Sequence, residues 1–290
     1  YQLFYGSDIH GFHARVSKNS APEDRRERYA DAIEPDPYAW AGRWAEACHP
    51  LTREGLERFS EVRLDLGCGK GSFVAAMAEE NPDVLFVGMD TEPLCIVYAA
   101  QLICESGLDN VIIVPGSGMR MTEMFAPGEL SRIYLNFPTP FPRTREARRR
   151  LTDIDRLADY RRVLAPDGVV RLKTDSQPLR DYTLVELGIA GYDLLWSTDD
   201  AREAGVVGPS SEYEDRLTAK GASVFALEAT PGEKPDRMEQ TDRLGLVDYL
   251  PSDVNAIGYV PRGMESTVEN LRNRDLKQRM GHHHRRNFGK

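Results

Sequence analysis

The sequence predicts an α/β fold arranged around a largely parallel sheet. Three observations carry that prediction. From Val62 onward, short apolar runs alternate with helical stretches in the order β-α-β-α-β, which calls for parallel strands joined by right-handed crossovers. A glycine-rich turn, Gly67-Cys68-Gly69-Lys70-Gly71, stands between the first apolar run and the first helical stretch. The 290 residues suffice for one principal domain with a full core and for tails outside it.

Residues 1–60 show no sustained alternation and read as an arm, in which the aromatic and alanine spacing of Tyr38–Ala47 predicts one short amphipathic helix. Residues 61–230 hold the predicted domain. Its strands are expected at Val62–Leu66, Val84–Met89, Val111–Val114, Arg132–Leu135 and Val169–Lys173, with two final strands at Asp193–Ser197 and Ser223–Ala229. Helices are expected near Ser72–Glu80, Pro93–Glu105, Asp153–Leu164 and Leu179–Leu187. Residues 231–290 open on the segment PGEKPDRMEQTD and read as a linker and basic tail, although the apolar stretch around Leu244–Leu250 is equally suited to docking on the core.

No apolar run approaches the length of a membrane span or a signal-peptide core, which predicts a soluble, cytoplasmic protein with no membrane partner. Cys48, Cys68, Cys95 and Cys104 form no CxxC pair and lie mostly in apolar segments, so reduced thiols are expected, without metal or disulfide. His282-His283-His284 is followed by Arg285 and Arg286, which favours a basic tail over a metal site. The net charge of -9 weighs against a phosphate-bearing partner only if the charge is evenly spread. It is not: arginines cluster from Arg143 to Arg162, and a second basic stretch runs from Arg262 to Lys290. Such patches bind RNA, or form an ordinary solvated helix face.

The segment Asp65-Leu66-Gly67-Cys68-Gly69-Lys70-Gly71-Ser72 carries the first chemistry. Glycines at a strand-to-helix turn let the backbone approach a ligand without Cβ clashes. The dinucleotide pattern GxGxxG needs glycine where Ser72 stands, and the phosphate-loop pattern is also unmet. GxGxG is the spacing of S-adenosylmethionine sites. Asp90 ends the second predicted strand, where a carboxylate can accept both hydroxyls of a ribose. A glycine loop alone is often only a tight turn; strand, loop, helix and terminal acid in this order predict a nucleoside cofactor.

Further along, the segment Ile133-Tyr134-Leu135-Asn136-Phe137-Pro138-Thr139-Pro140-Phe141-Pro142-Arg143, followed by Arg148-Arg149-Arg150-Leu151-Thr152, resembles the signature of tRNA (guanine-N7) methyltransferases. Arg161–Gly168, Leu172-Lys173-Thr174-Asp175, Ser211-Glu212-Tyr213-Glu214 and Ala219-Lys220-Gly221 follow in that family's order. The resemblance spans about Asp65 to Ala229. It implies a Rossmann-like, seven-stranded class I methyltransferase sheet with an antiparallel last strand, S-adenosylmethionine as methyl donor, and N7 of a guanine in the tRNA variable loop as acceptor. By the same resemblance, Asp65, Gly67, Gly69, Gly71, Asp90, Ser117 and Asn136 are cofactor positions, and Arg143, Asp175, Ser211 and Glu214 are substrate positions. On pattern alone, Ser211–Glu214 would simply cap a helix.

Four positions depart from the family's usual residues. Thr139 stands where an aspartate is usual and is assigned the catalytic role; Ser117 replaces an acidic or amide group, Glu146 a frequent histidine and Phe141 a tryptophan. Guanine N7 carries a lone pair and no proton, so positioning matters more than a general base. A carboxylate near the ring would stabilise the positive charge arriving on the purine, a contribution on the order of 10²–10³ in rate that a threonine does not supply. The sequence thus suits an active tRNA methyltransferase. Two other readings remain open at this level: a catalytically impaired paralogue that binds tRNA or a partner protein, and a methyltransferase with another acceptor.

Overall fold

The structure, a computed structural model, describes residues 21–46, 58–206, 208–240 and 244–287, with side chains as far as residue 280. Cys48 and the side chains of His282, His283 and His284 lie outside the described residues. Strands β1 (Glu61–Leu66), β2 (Val84–Asp90), β3 (Val111–Pro115), β4 (Leu130–Asn136), β5 (Leu164–Thr174), β6 (Tyr192–Thr198) and β7 (Phe225–Pro231) form one sheet in the order β3-β2-β1-β4-β5-β7-β6. Only β7 runs against its neighbours, pairing antiparallel with both β5 and β6. This is the predicted seven-stranded, mostly parallel class I methyltransferase arrangement.

The helices are α1 (Pro22–Arg28), α2 (Ser72–Glu80), α3 (Pro93–Ser106), α4 (Met121–Met124), α5 (Ile154–Val163), α6 (Gln177–Ile189), α7 (Glu212–Ala219) and α8 (Glu265–Asn287). Local chemistry sets their ends. Helix α3 begins with Pro93 in its first turn and ends at Gly107, whose φ of 66° suits a left-handed C-cap. The side chains of Asp153 and Ser176 accept backbone N–H groups at the starts of α5 and α6.

Side chains alternate across the sheet. Leu64, Leu85, Val87, Ile112 and Ile133 point to the face covered by α5 and α6, where Leu157, Tyr160 and Leu187 meet them. Val84, Phe86, Ile113 and Tyr134 point to the other face, against Val74, Ala99 and Ile103 of α2 and α3. The chain leaves β1 toward β2 and β3, then returns to lay β4 on the opposite side of β1. That reversal opens a crevice at the carboxyl ends of β1 and β4, the usual ligand site of open α/β sheets.

The helix predicted over Tyr38–Ala47 is instead two 3₁₀ turns, Pro37–Trp40 and Trp44–Glu46. Gly42 lies between them with φ 79°, a left-handed residue that interrupts helical hydrogen bonding, and Ala47 is outside the described residues. Glu129 takes over the capping by accepting the N–H groups of Gly42 and Trp44. Trp44 is fully buried, its indole N–H donating to the Met124 carbonyl at 2.8 Å. At the other end of the chain, Leu246, Met264 and Val268 pack on Leu179 and Tyr182 of α6. No helix among the described residues is long and apolar enough to cross a membrane.

Candidate active site

The turn after β1 is shaped by three left-handed glycines, Gly67, Gly69 and Gly71, with φ of 82°, 57° and 83°. Beneath it, the Gly67 and Cys68 N–H groups donate to the Met89 carbonyl, tying the turn to the end of β2. Asp90 closes the arrangement: its carboxylate accepts the N–H of Gly69 at 2.8 Å and that of Glu92 at 2.9 Å. No atom lies within 4 Å of where a Cβ on Gly67 or Gly69 would stand, whereas a Cβ on Gly71 would meet Ala99 Cβ at 3.0 Å. The first two glycines therefore leave room for a ligand, and the third lets α2 and α3 pack closely.

This turn forms one wall of a cavity of about 350 Å³. Asp65, Gly67, Gly69, Asn136 and Ser211 of the predicted site line it, together with Lys70, Phe137, Tyr213, Arg216 and Arg262. Asp65 is buried, and its pKa is pushed up to about 7. Loss of solvent is the main cause; the Asn136 amide, 3.4 Å away, opposes it, and the negative Asp90 adds to it. In the free protein this carboxyl is half protonated near neutrality, a state that a cationic ligand would reverse.

The Asn136–Pro142 loop leaves β4 with two non-glycine residues in left-handed backbone, Phe137 at φ 50° and Phe141 at φ 46°. Such residues cost on the order of 1–3 kcal/mol each and persist only where their surroundings hold them. The Phe137 N–H donates to the Lys173 carbonyl at 2.7 Å, and Arg150 holds the Phe141 end. It is fully buried, and its guanidinium donates to the Pro140 carbonyl at 3.0 Å and to the Phe141 carbonyl at 2.7 Å while lying over the Tyr182 ring. Thr139 is thereby presented at an exposed bend between two prolines, outside the lining of the cavity.

The remaining predicted positions are dispersed around this centre. Ser211 caps α7, its hydroxyl accepting the Glu214 N–H at 3.0 Å, so the capping pattern legible in the sequence is realised. The Glu214 side chain is buried beside Lys173, with Nζ 3.4 Å from its carboxylate, and its pKa is raised by burial against that attraction. Asp175 is also buried and accepts the Tyr259 hydroxyl at 2.8 Å and the Arg262 backbone N–H at 2.9 Å. Ser117 is exposed, its hydroxyl accepting the Met119 N–H, and Arg143 is exposed beyond the strained loop. Gly71, Asp90, Ser117, Thr139, Arg143, Asp175 and Glu214 do not line the cavity itself.

Several lining groups escaped sequence reasoning. Tyr213 packs edge-on against Phe137 with ring centroids 5.4 Å apart, and the Arg262 guanidinium lies 4.8 Å above the Tyr213 ring. Phe137 and Tyr213 sit inside motifs already singled out, so proximity to those motifs was an available signal. Arg262 opens the basic stretch that the sequence marks as a candidate RNA patch, but nothing in the sequence tied it to this cavity. Cys68, Cys95 and Cys104 are free thiols, and no group of three or more His, Cys, Asp or Glu among the described residues is placed to hold a metal ion.

A family model described as "Putative methyltransferase" matches residues 60–227. The chain is 38% identical over 216 residues to a tRNA (guanine-N(7)-)-methyltransferase of Geobacillus kaustophilus (strain HTA426), a match covering 74% of this chain and 96% of that protein. It is similarly 38% identical to the enzyme of that name from Geobacillus thermodenitrificans (strain NG80-2), with the same coverage. A third relative of that name, from Lactococcus lactis subsp. cremoris (strain MG1363), is 32% identical over 218 residues, covering 74% of this chain and 97% of that protein.

Proposed function

The chain belongs to the tRNA (guanine-N7)-methyltransferase family, and from that premise we propose that it transfers a methyl group from S-adenosylmethionine to N7 of a guanine in the tRNA variable loop. The observation that carries this reading is the single cavity into which the glycine turn, Asn136, Phe137 and the Ser211–Tyr213 segment all open. A cofactor wall and an acceptor wall face each other there.

The residues present fit the cofactor. Gly67 and Gly69 leave open space above left-handed backbone, and Asp90 stands at the end of β2 as the ribose acceptor. S-adenosylmethionine held by the glycine turn and Asp90 would supply the methyl group for direct transfer to the N7 lone pair, with the C–S bonding pair left on sulfur and no proton to be moved. Asp65, at the cavity floor, favours the positively charged donor over the neutral thioether product once it is ionised. Asn136 orients Asp65 through its amide. The Phe137–Tyr213 pair offers an aromatic wall against which a purine can stack. Thr139 contributes no charge to the positive purine, so most of the acceleration falls to positioning. Arg143 is exposed just after the loop, which supports its assignment to an RNA phosphate.

Transfer of labelled methyl from S-adenosylmethionine to tRNA lacking N7-methylguanine tests the reading, with the modified nucleoside identified after digestion. N7-methylguanosine at the variable loop is the expected product. Label in another nucleoside, or tRNA binding without any transfer, would overturn it.

A further inference from the structure

The family match ends at residue 227, yet the cavity is lined by a side chain from well beyond it, Arg262. The segment that carries Arg262 is anchored at several points. Leu246 and Met264 are fully buried against α6, and the Leu246 N–H donates to the Pro142 carbonyl at 3.0 Å. Gly263, at φ 81°, runs so close to the strained loop that a Cβ there would stand 3.1 Å from the Pro140 ring. Asp175 binds the segment twice through one oxygen, accepting the Tyr259 hydroxyl and the Arg262 N–H.

These contacts aim Arg262 at the cavity over Tyr213, with Arg216 on the same rim. Neither guanidinium forms an ion pair with a carboxylate among the described residues. The lining carboxylates are Asp65, buried at the floor, and Glu212. Two guanidinium groups beside an aromatic pair, on a chain whose net charge is -9, suit an anionic ligand that arrives together with a base.

Resting on the proposed tRNA reading, we infer that the 244–264 segment is a built part of the acceptor site, that Arg262 binds an RNA phosphate, and that Asp175 is a positioning residue which seats Arg262. In the family resemblance Asp175 is a substrate position; here its hydrogen-bonding is directed to the chain's own segment. A guanidinium lying over Tyr213 still has N–H donors to offer a phosphate, a combination that a lysine ammonium does not reproduce.

The test is tRNA affinity measured across a salt series for the wild type, Arg262→Gln and Arg262→Lys, with S-adenosylmethionine affinity and melting temperature measured in parallel. Arg262→Gln is expected to weaken tRNA binding by about tenfold at low salt and to reduce the slope of log affinity against log salt by about one phosphate contact. Arg262→Lys should keep the slope while losing part of the affinity. Tyr259→Phe, which removes one anchor, should weaken tRNA binding in the same direction without altering the slope. Cofactor affinity should stay within twofold throughout. An unchanged slope in Arg262→Gln would overturn the inference, as would a loss confined to cofactor binding, which would assign Arg262 to the methionine carboxylate instead. Because the readout is binding, it separates the two readings: a wild type that binds tRNA without methylating it sinks the proposed activity alone, whereas one that does not bind tRNA sinks both.

Discussion

Replacing Arg150 offers the sharpest test of how the acceptor loop is held. Its guanidinium serves the carbonyls of Pro140 and Phe141 in a fully buried setting. Charged hydrogen bonds of this kind contribute roughly 1.5–3 kcal/mol each, so leaving both carbonyls unpaired in place would cost about 3–6 kcal/mol. The loop has an escape. Phe141 stores on the order of 1–3 kcal/mol in left-handed backbone, which is released if the Arg150-held end of the loop relaxes. Removing a buried charge offsets part of the remainder, since burial already lowers the Arg150 pKa. Together these offset much of the cost, so the loop should rearrange while the domain stays folded. Arg150→Lys cannot bridge both carbonyls with one ammonium, and Arg150→Met cannot bridge either. Both should lose no more than about 2 kcal/mol in urea denaturation. A displacement of about 1 Å at the acceptor side can cost on the order of 10² in rate, and a drop of that size is expected in single-turnover methyl transfer. Cofactor affinity, measured by calorimetry, should stay within twofold because the glycine turn is untouched. Full single-turnover activity in a folded Arg150→Met would refute the reasoning.

Other perturbations separate the remaining contributions. Thr139→Asp should raise the single-turnover rate, by up to about 10²–10³ if the new carboxylate reaches the purine, with tRNA affinity unchanged; no increase would show that the exposed bend keeps residue 139 away from the base. S-adenosylmethionine binding should strengthen with pH by at most about tenfold per unit up to pH 7 and level off above, because Asp65 must lose its proton to meet a cation; a profile identical in Asp65→Asn would remove Asp65 from that role. For folding the sign is reversed. Asp65 and Glu186 keep their protons to about pH 7 when folded, whereas the unfolded carboxyls release theirs near pH ~4. Their contribution is therefore fully present below about pH 4 and is lost as pH rises to about 7. Glu186→Gln should accordingly show a smaller fall in urea midpoint between pH 5 and pH 8 than the wild type does. Gly71→Ala should destabilise the domain by about 1–3 kcal/mol, through left-handed strain and the 3.0 Å approach to Ala99 Cβ; an unchanged melting temperature would contradict the close packing of α2 on α3.

Much of the fold was legible because its elements are short and locally specified. The expected helix over Ser72–Glu80 is α2 to the residue, and Pro93 and Gly107 bracket α3 by their own backbone preferences. Strands β1, β2 and β3 depart from expectation only at their ends, since continuous apolar runs such as Val111–Val114 suit a sheet buried on both faces. The helix expected over Tyr38–Ala47 failed because Gly42 takes a left-handed conformation, while the aromatic spacing that suggested a helix reflects Trp44 filling the core beside Phe125. In the site, residues within one turn of each other were placed correctly as neighbours: Asp65 with the glycines, and Ser211 with the start of α7.

The sequence by itself determined the order of strands and helices, the glycine turn with its acidic partner, and the family to which the chain belongs, because each is written in contiguous residues whose backbone preferences act over a few positions. Tertiary structure alone decided that Asp175 turns to Tyr259 and Arg262, that Glu214 is buried beside Lys173, and that Arg150 sits under a strained loop. It also brought Arg262 to a cavity whose other wall begins at Asp65. Those outcomes depend on burial and on contacts between distant segments, and the pairing of a charged side chain is settled by which partner shares its desolvated surroundings once the core has closed.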